Sequence, residues 1–465
     1  MTRTYRWLLT GSSCFLIVVG TLVGCGGDDS CDPVGQKGCD NGLVCELVEN
    51  GDPACFAPVE VRGEVFDLAT DAAIEGANVV ALDVNGAAVS TVAVSDKAGN
   101  YALAVPSTRR ADGTPIPVEI TLRADAAGYL TFPSGVRQAL PVDTSIAAPD
   151  GDNLVVRSAL TDLGLLDLPD GAGDSSISGS VELPKDRTGI LVVATATDGT
   201  GFAGIANRDG EYRIFNIPAG SYTVTAYAKG SSYEQATIDL QAASEGKADL
   251  ALTDVATGTV SGTIQIVNAP GGSLTSVILV VESTFDETLA RGQSVPGLRA
   301  PEGGVAPSIS SAYTIEGVPA GRYVVLAAFE NDNLVRDPDL SIGGTSILHI
   351  EVMPGATTTV DGFKVTEALA IIGPGATDPE AVSGPVTFRW KDDSSEDQYV
   401  VEVFDAFGES IWQEMLPGAS GRDPTLDYAG PALMPGMYYQ FRVTSSKDGT
   451  PIARTEDLAG VFYLP

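Results

Sequence analysis

Asn207-Arg-Asp-Gly-Glu-Tyr-Arg-Ile-Phe-Asn-Ile-Pro-Ala-Gly-Ser-Tyr-Thr-Val-Thr225 is the stretch from which the fold reads most directly. Asp209-Gly210 supplies a tight turn, and Tyr212 and Ile214 then alternate as one face of a strand. Pro218-Ala-Gly220 turns the chain into a second strand carrying Tyr222, Val224 and Ala226. The hairpin is structural, and no chemistry is written in it.

Working outward, the same composition runs through the whole chain of 465 residues, which has 53 Gly and 28 Pro and no long apolar stretch at helical spacing. Many short strands joined by turns are expected. At roughly 100–150 residues per domain the length implies several cores rather than one. The expected class is all-β, a tandem of β-sandwich (transthyretin-like or Ig-like) domains.

The formal net charge of −34, from 61 acidic and 27 basic residues, excludes a nucleic-acid partner, since phosphate binding needs a concentrated positive surface. The acidity reads as solvated surface. Calcium binding is the rival, but no Asp-x-Asp-x-Asp-Gly loop occurs. The clusters Asp332…Asp337-Pro-Asp339 and Asp392-Asp393…Glu396-Asp397 also lack a fixed ligand spacing. No metal and no cofactor is expected.

At the N-terminus Arg3 and Arg6 precede an apolar run from Trp7 to Val23 that ends in small residues, the layout of an export signal. Its strongest part, Cys14 to Val23, is short for a spanning helix, which needs about 20 predominantly apolar residues. Leu22-Val23-Gly24-Cys25 resembles the bacterial lipobox. The resemblance implies cleavage of a signal peptide spanning 1–24 and attachment of lipid, palmitate included, to Cys25, so that the chain is tethered to a membrane. Gly26 follows that cysteine where an Asp would hold some Gram-negative lipoproteins at the inner membrane, so the resemblance points to the cell envelope and its outer membrane.

Cys31, Cys39, Cys45 and Cys55 crowd a Gly/Asp/Asn-rich segment, and no cysteine follows. In an exported chain they imply two disulfides, with three connectivities open. Zinc is disfavoured, because the segment has neither a Cys-x-x-Cys pair nor a nearby His. Residues 25–57 therefore read as a cysteine-rich tether too small to hold a shape without staples. The segment loosely resembles the small EGF-like insets of bacterial surface lipoproteins.

A strand with Gly at a matching place recurs three times: Val61-Arg-Gly63-Glu-Val65, Ile177-Ser-Gly179-Ser-Val181 and Val260-Ser-Gly262-Thr-Ile264. Each is followed by a Val/Ala-rich strand (Ala77 to Leu82, Ile190 to Ala194, Val277 to Val280) and a Tyr-led strand (Tyr101, Tyr212, Tyr313). These units resemble the carboxypeptidase regulatory-like family, a transthyretin-like β-sandwich related to Cna-B-type surface modules. The first carries Ile74-Glu-Gly76-Ala-Asn-Val79 and Ser95-Asp96-Lys-Ala-Gly99-Asn-Tyr101, the second the hairpin quoted above, and the third Val318-Pro-Ala-Gly321-Arg-Tyr323. The units are placed at 58–170, 174–254 and 257–363. Their tyrosines are expected in the core.

Two departures stand out. The first unit has a long loop, Ser107 to Pro117, in place of the short Pro-x-Gly-x-Tyr turn; the third lacks Gly in its Ser310-Ser311-Ala312 turn and carries an insertion from Phe285 to Ile309. Such loops read either as binding surface or as disordered chain. The self-made Lys–Asn isopeptides of Cna-B relatives need lysines that the opening strands around Gly63, Gly179 and Gly262 lack.

Residues 364–465 resemble a fibronectin type III domain, with Trp390 in the buried strand-B position and Tyr439 at the tyrosine corner. Trp412, adjacent to Ile411 on an alternating strand, is a candidate ligand contact if it faces outward, where it would stack on a sugar ring or a partner chain. The alternative is an edge Trp covered by a neighbouring loop. The single histidine, His349, is expected on a solvated strand face, and neither Gly-x-Ser-x-Gly nor His-Glu-x-x-His occurs. No catalytic residue is assigned, and no enzyme is expected.

The expectation is a non-catalytic envelope lipoprotein whose four sandwiches, at ~30 Å each, stand end to end over on the order of 120 Å as a stalk for adhesion or for assembly with another envelope protein. One alternative is a carbohydrate-binding surface lipoprotein, which needs Trp412, Tyr129 and Phe132 exposed together to hold a glycan. The other is an accessory subunit of an envelope enzyme or secretion complex.

Overall fold

The computed structural model describes residues 31–33, 36–40, 42–83, 85–135, 137–169, 172–184, 189–267, 275–287, 289, 291–301, 309, 311–329, 335–336, 347–366, 368–393, 396–419, 421–456 and 458–465. The export signal, Cys25, Ser310 and the acidic positions Asp332, Asp337 and Asp339 lie outside them. The chain is all-β: the described residues form strands and three single 3₁₀ turns, without an α-helix.

Behind a two-stranded ribbon, Val44–Glu46 paired with Ala54–Phe56, the strands surround four apolar cores in tandem. The first three modules share one plan. In each, the Gly-bearing strand (Val59–Asp67, Ser175–Ser180, Gly258–Val267) is central to a small sheet, with the Tyr-led strand antiparallel on one side. A strand late in the module returns parallel on the other side. A second sheet, built on Asn78–Leu82, Leu191–Ala196 or Thr275–Val281, packs across the core.

The repeated Gly and Tyr are opposite one another in the ladder: Gly63 with Tyr101, Gly179 with Tyr212, Gly262 with Tyr313. In the first two modules the Tyr hydroxyl donates to a carbonyl of the returning segment, Tyr101 to Thr161 O and Tyr212 to Ala248 O, both at 2.6 Å. A Cβ on Gly63 or Gly179 would lie 1.8 Å from that same carbonyl oxygen, so only glycine lets the returning segment come this close. The third module departs. A Cβ on Gly262 would meet the Tyr313 hydroxyl itself at 2.5 Å, and that hydroxyl is buried without a partner among the described residues.

The fourth module pairs a three-stranded sheet, Ile371–Gly373, Thr387–Trp390 and Thr425–Asp427, with a six-stranded one whose centre is Gln398–Asp405 and Tyr438–Lys447. Trp390 is fully buried edge-on to Tyr399, and the Tyr439 hydroxyl accepts the Met434 N–H at 2.8 Å, which pins the loop ahead of its strand.

The modules are not strung end to end. Joints between successive modules repeat. Beyond the strand Glu119–Asp125, the Gly128 N–H donates to the Asn216 carboxamide oxygen at 2.9 Å. Asn216 Nδ2 returns bonds to Ala126 O and Tyr129 O. At the matching place in the next module, Gly230 N–H donates to Gly317 O at 2.6 Å. Asn216 and Gly317 both have positive φ, 59° and 70°, and each sits one residue before an Ile-Pro or Val-Pro turn. Val80 and Leu82 of the first module bury against Ile205 of the second, and Tyr227 of the second lies edge-on to Tyr323 of the third, centroids 6.2 Å apart.

The expected linear reach is corrected by the fourth module, which folds back on the first. Ala406 and Val461 join the first module's core, Phe407 packs edge-on to Phe66, and buried Arg137 donates to Phe407 O at 2.9 Å and to Gly164 O at 2.6 Å. Its guanidinium also stacks over Phe132, 4.8 Å from the centroid.

The Gly–Tyr contrast has a measurable consequence. Tyr212→Phe is expected to destabilise its module by about 1–3 kcal/mol, because Ala248 O is left buried and unpaired. Tyr313→Phe is expected to be neutral or stabilising. Gly179→Ala should cost about 3 kcal/mol or more by overpacking. Native-state hydrogen exchange, read module by module, checks all three.

Candidate functional site

Two places gather polar side chains for a reason beyond the sandwich itself. The first is where the cysteine-rich ribbon meets the first module. Disulfides join Cys31 to Cys45 and Cys39 to Cys55, which resolves the open connectivity and commits every described cysteine sulfur. Cys45 and Cys55 are cross-strand neighbours in the ribbon, so each disulfide fastens the preceding loop to one of its strands.

The ribbon is seated on the long loop from Ser107 to Pro117. Arg109 N–H donates to Leu47 O and Glu49 N–H to Arg109 O, at 2.8 and 2.7 Å. The Arg109 guanidinium is ion-paired with Glu46, both side chains nearly fully buried, and donates to Ala57 O while lying over the Phe56 ring. Ser107 N–H adds a second donor to Glu46 at 3.0 Å. Burial pushes the Glu46 carboxyl up from its ordinary value, and the bonds from Arg109 and Ser107 oppose that push. This loop, expected as binding surface or disorder, is instead the socket of the cysteine-rich ribbon. It follows the Tyr-led strand of the first module, whereas Asn216 and Gly317 stand near the ends of the Tyr-led strands Glu211–Ile217 and Ala312–Val318 in the later ones.

The second place is a cleft of about 520 Å³ where the first three modules meet. Arg123, buried in the first module, organises it: the guanidinium pairs with Asp125 at 2.8 Å and donates to Ala203 O of the second module and to Gln293 of the third. Thr131 donates to Asp125 at 2.7 Å. Phe202 and Phe215 come from the second module, and the insertion between Phe285 and Ile309 contributes Asp286, Arg291 and Gln293. Within that insertion Ser294–Ala300 pairs with Thr275–Val281, so this part of it is sheet. Asn85 is only 5% exposed, held in a turn where Asp83 accepts the N–H groups of Asn85 and Ala87 at 2.9 Å. Its carboxamide has no hydrogen-bond partner among the described residues. A groove of about 760 Å³ along the linker at Pro169 and Gly173 shares Phe215 and Asn216 with the cleft.

The aromatic platform expected of Trp412, Tyr129 and Phe132 does not form. Phe132 is 3% exposed beneath Arg137, and Tyr129 is half-buried on the first core with its hydroxyl 3.3 Å from Asp67. Trp412 lies on the edge strand Ser410–Pro417, covered by Tyr428 at 5.1 Å and by Gly430. Alternation fails there because the register shifts at Ile411: Val403 faces Trp412 and Phe404 faces Ser410, leaving Ile411 as an extra residue. Ile411 and Trp412 both pack on the fourth core. His349 is exposed, 2.6 Å from Glu282, which also binds Arg322. Arg322 chiefly, with His349, holds the Glu282 carboxyl below its usual value despite partial burial.

Asn85 and Asn216 escaped the sequence reading. Asn216 stands inside the hairpin that defines the fold, at a position where the third module has Gly317, and a positive-φ Asn or Gly is the signal that marks it.

No family model matches the chain, and no curated protein does. Among solved structures it is similar to the TIE protein of Bacillus anthracis at 10% identity, covering 84% of this chain and 68% of that one with a TM-score of 0.15. It is also similar to the minor pilin GBS52 of Streptococcus agalactiae at 13% identity, covering 45% and 100% with a TM-score of 0.17. A DUF3823 family protein of Bacteroides ovatus is 13% identical, with 45% and 100% covered and a TM-score of 0.20. Scores this low leave function to the chain's own residues.

The buried pair sets a test of the socket. Glu46→Ala is expected to destabilise the docked ribbon by about 3–5 kcal/mol, since Arg109 would remain buried without its counter-charge. Replacing both, Glu46→Leu with Arg109→Met, should recover most of that loss. Protection of ribbon amides against hydrogen exchange measures both.

Proposed function

We propose that this chain is a non-catalytic envelope protein, anchored by lipid on Cys25, whose joined sandwiches form one body for adhesion or for assembly with another envelope protein. The observation that carries the reading is the seating of the ribbon through Glu46 and Arg109. A flexible leash would suffice to keep a soluble module near a membrane. A stapled ribbon locked into the first module instead transmits orientation, which is of use to a protein that must present a particular face.

Three carboxypeptidase regulatory-like modules and a fibronectin type III-like one are the proposed domains, at 58–170, 174–254, 257–363 and 364–465. The Gly–Tyr ladder positions support the former and the Tyr439 hydroxyl bond supports the latter. The proposed location is the outer membrane. The one histidine of the sequence is occupied with Glu282 at the surface, which favours a binding role over a His-based catalytic one.

In cells fed a palmitate analogue, the wild-type chain is expected to take up label and Cys25→Ala to take up none. Label unchanged in the variant would overturn the anchor. Crosslinking in intact cells should capture a protein neighbour in a wild-type, Cys25-dependent manner; its absence would count against assembly.

A further inference from the structure

The cleft between the first three modules is not required by any one sandwich, and its chemistry is selective. The charged side chains lining it are Arg123, Asp125, Asp286 and Arg291, two of each sign, in a chain whose formal net charge is −34. The cleft is therefore locally balanced inside a strongly acidic protein. An anionic ligand would meet the repulsion of the whole molecule without a local positive surplus, and a cationic one would find no surplus of carboxylates. What the lining offers instead is neutral hydrogen-bonding capacity beside aromatic surface.

Three features give that capacity a direction. Asn85, 5% exposed as a whole residue, lines the cleft, where its carboxamide can donate and accept at once. Asp125 accepts two bonds from Arg123 and one from Thr131, so about one of its roughly four acceptor sites is left for a hydroxyl. Phe202 is half-buried, backed edge-on by Tyr222 at 6.0 Å, and presents its remaining surface to the same space.

We infer that this cleft binds a segment of neutral glycan, with Asn85 and Asp125 bonding to sugar hydroxyls and Phe202 packing against the apolar C–H face of a ring. A saccharide matches the lining because it combines paired donors and acceptors with an apolar face and carries no charge. The volume, about 520 Å³, lies within the 300–1,000 Å³ range of ordinary ligand sites. Arg123 holds the three modules together at the cleft floor, so the polar groups are fixed before the ligand arrives and less ordering entropy is lost on binding. The inference does not depend on the lipid at Cys25 and places recognition away from Trp412.

The test uses the full chain in detergent micelles on an array carrying neutral and anionic glycans. At least one neutral oligosaccharide should be retained, and its affinity should fall tenfold or more in Asn85→Ala and in Phe202→Ala, with near-ultraviolet circular dichroism unchanged. Trp412→Ala should bind as the wild type does. Should either variant misfold, hydrogen exchange on the wild type decides: the retained glycan should protect amides around residues 85, 131 and 202. An array with no retained neutral glycan, retention of anionic glycans alone, affinity unchanged in both folded variants, or protection confined to other regions would each overturn the inference.

Discussion

The passage from the end of the Tyr-led strand to its successor is the constraint on which the arrangement of the whole molecule depends. In the second module it offers Asn216 to Gly128, in the third it offers Gly317 to Gly230, and in the first it becomes the longer loop that receives the cysteine-rich ribbon. The end of the Tyr-led strand, or the loop that follows it, is thus used each time to grip whatever precedes the module in the chain. A backbone or carboxamide bond at such a joint is worth little by itself, about 0.5–1.5 kcal/mol net. It acts together with the apolar faces beside it, Val80 and Leu82 against Ile205, and Tyr227 against Tyr323.

Within a module, much was legible from residues alone. Gly63, Gly179 and Gly262 with Tyr101, Tyr212 and Tyr313 announce a ladder in which a hydroxyl passes over a bare backbone, and the four clustered cysteines announce a stapled segment. Relations between modules were harder to read because they rest on single residues at long separation, such as Arg137 and Phe407. A weaker signal was present. Thr275–Val281 is buried at every position, and Leu191–Ala194 likewise, so these strands run apolar without alternation. A strand covered on one face alternates; a continuous apolar run means both faces are covered, and the second cover here comes in part from neighbouring modules.

The same logic explains where the candidate site was and was not visible. Trp412 drew attention as a large aromatic on an edge strand, yet an extra residue at Ile411 turned it onto its own core. Asn85 carries no motif, and its interest comes from lining a cleft that exists only once three modules are joined. The places where the repeats depart from their pattern are still the informative ones. The long loop holds the ribbon, and the insertion lines the cleft, so sequence irregularity marks the surfaces that modules share with other parts of the chain.

Closure of the array on itself is the central claim, and a single distance tests it. Nitroxide labels at Ala69→Cys and Glu409→Cys, both exposed and flanking the contact of Phe66 with Phe407, report the separation of the first and fourth modules by pulsed electron resonance. The closed arrangement predicts a narrow distribution on the order of 20 Å, the contact itself plus the reach of two labels. A distribution centred on the order of 90 Å, three module lengths of ~30 Å each, would contradict it.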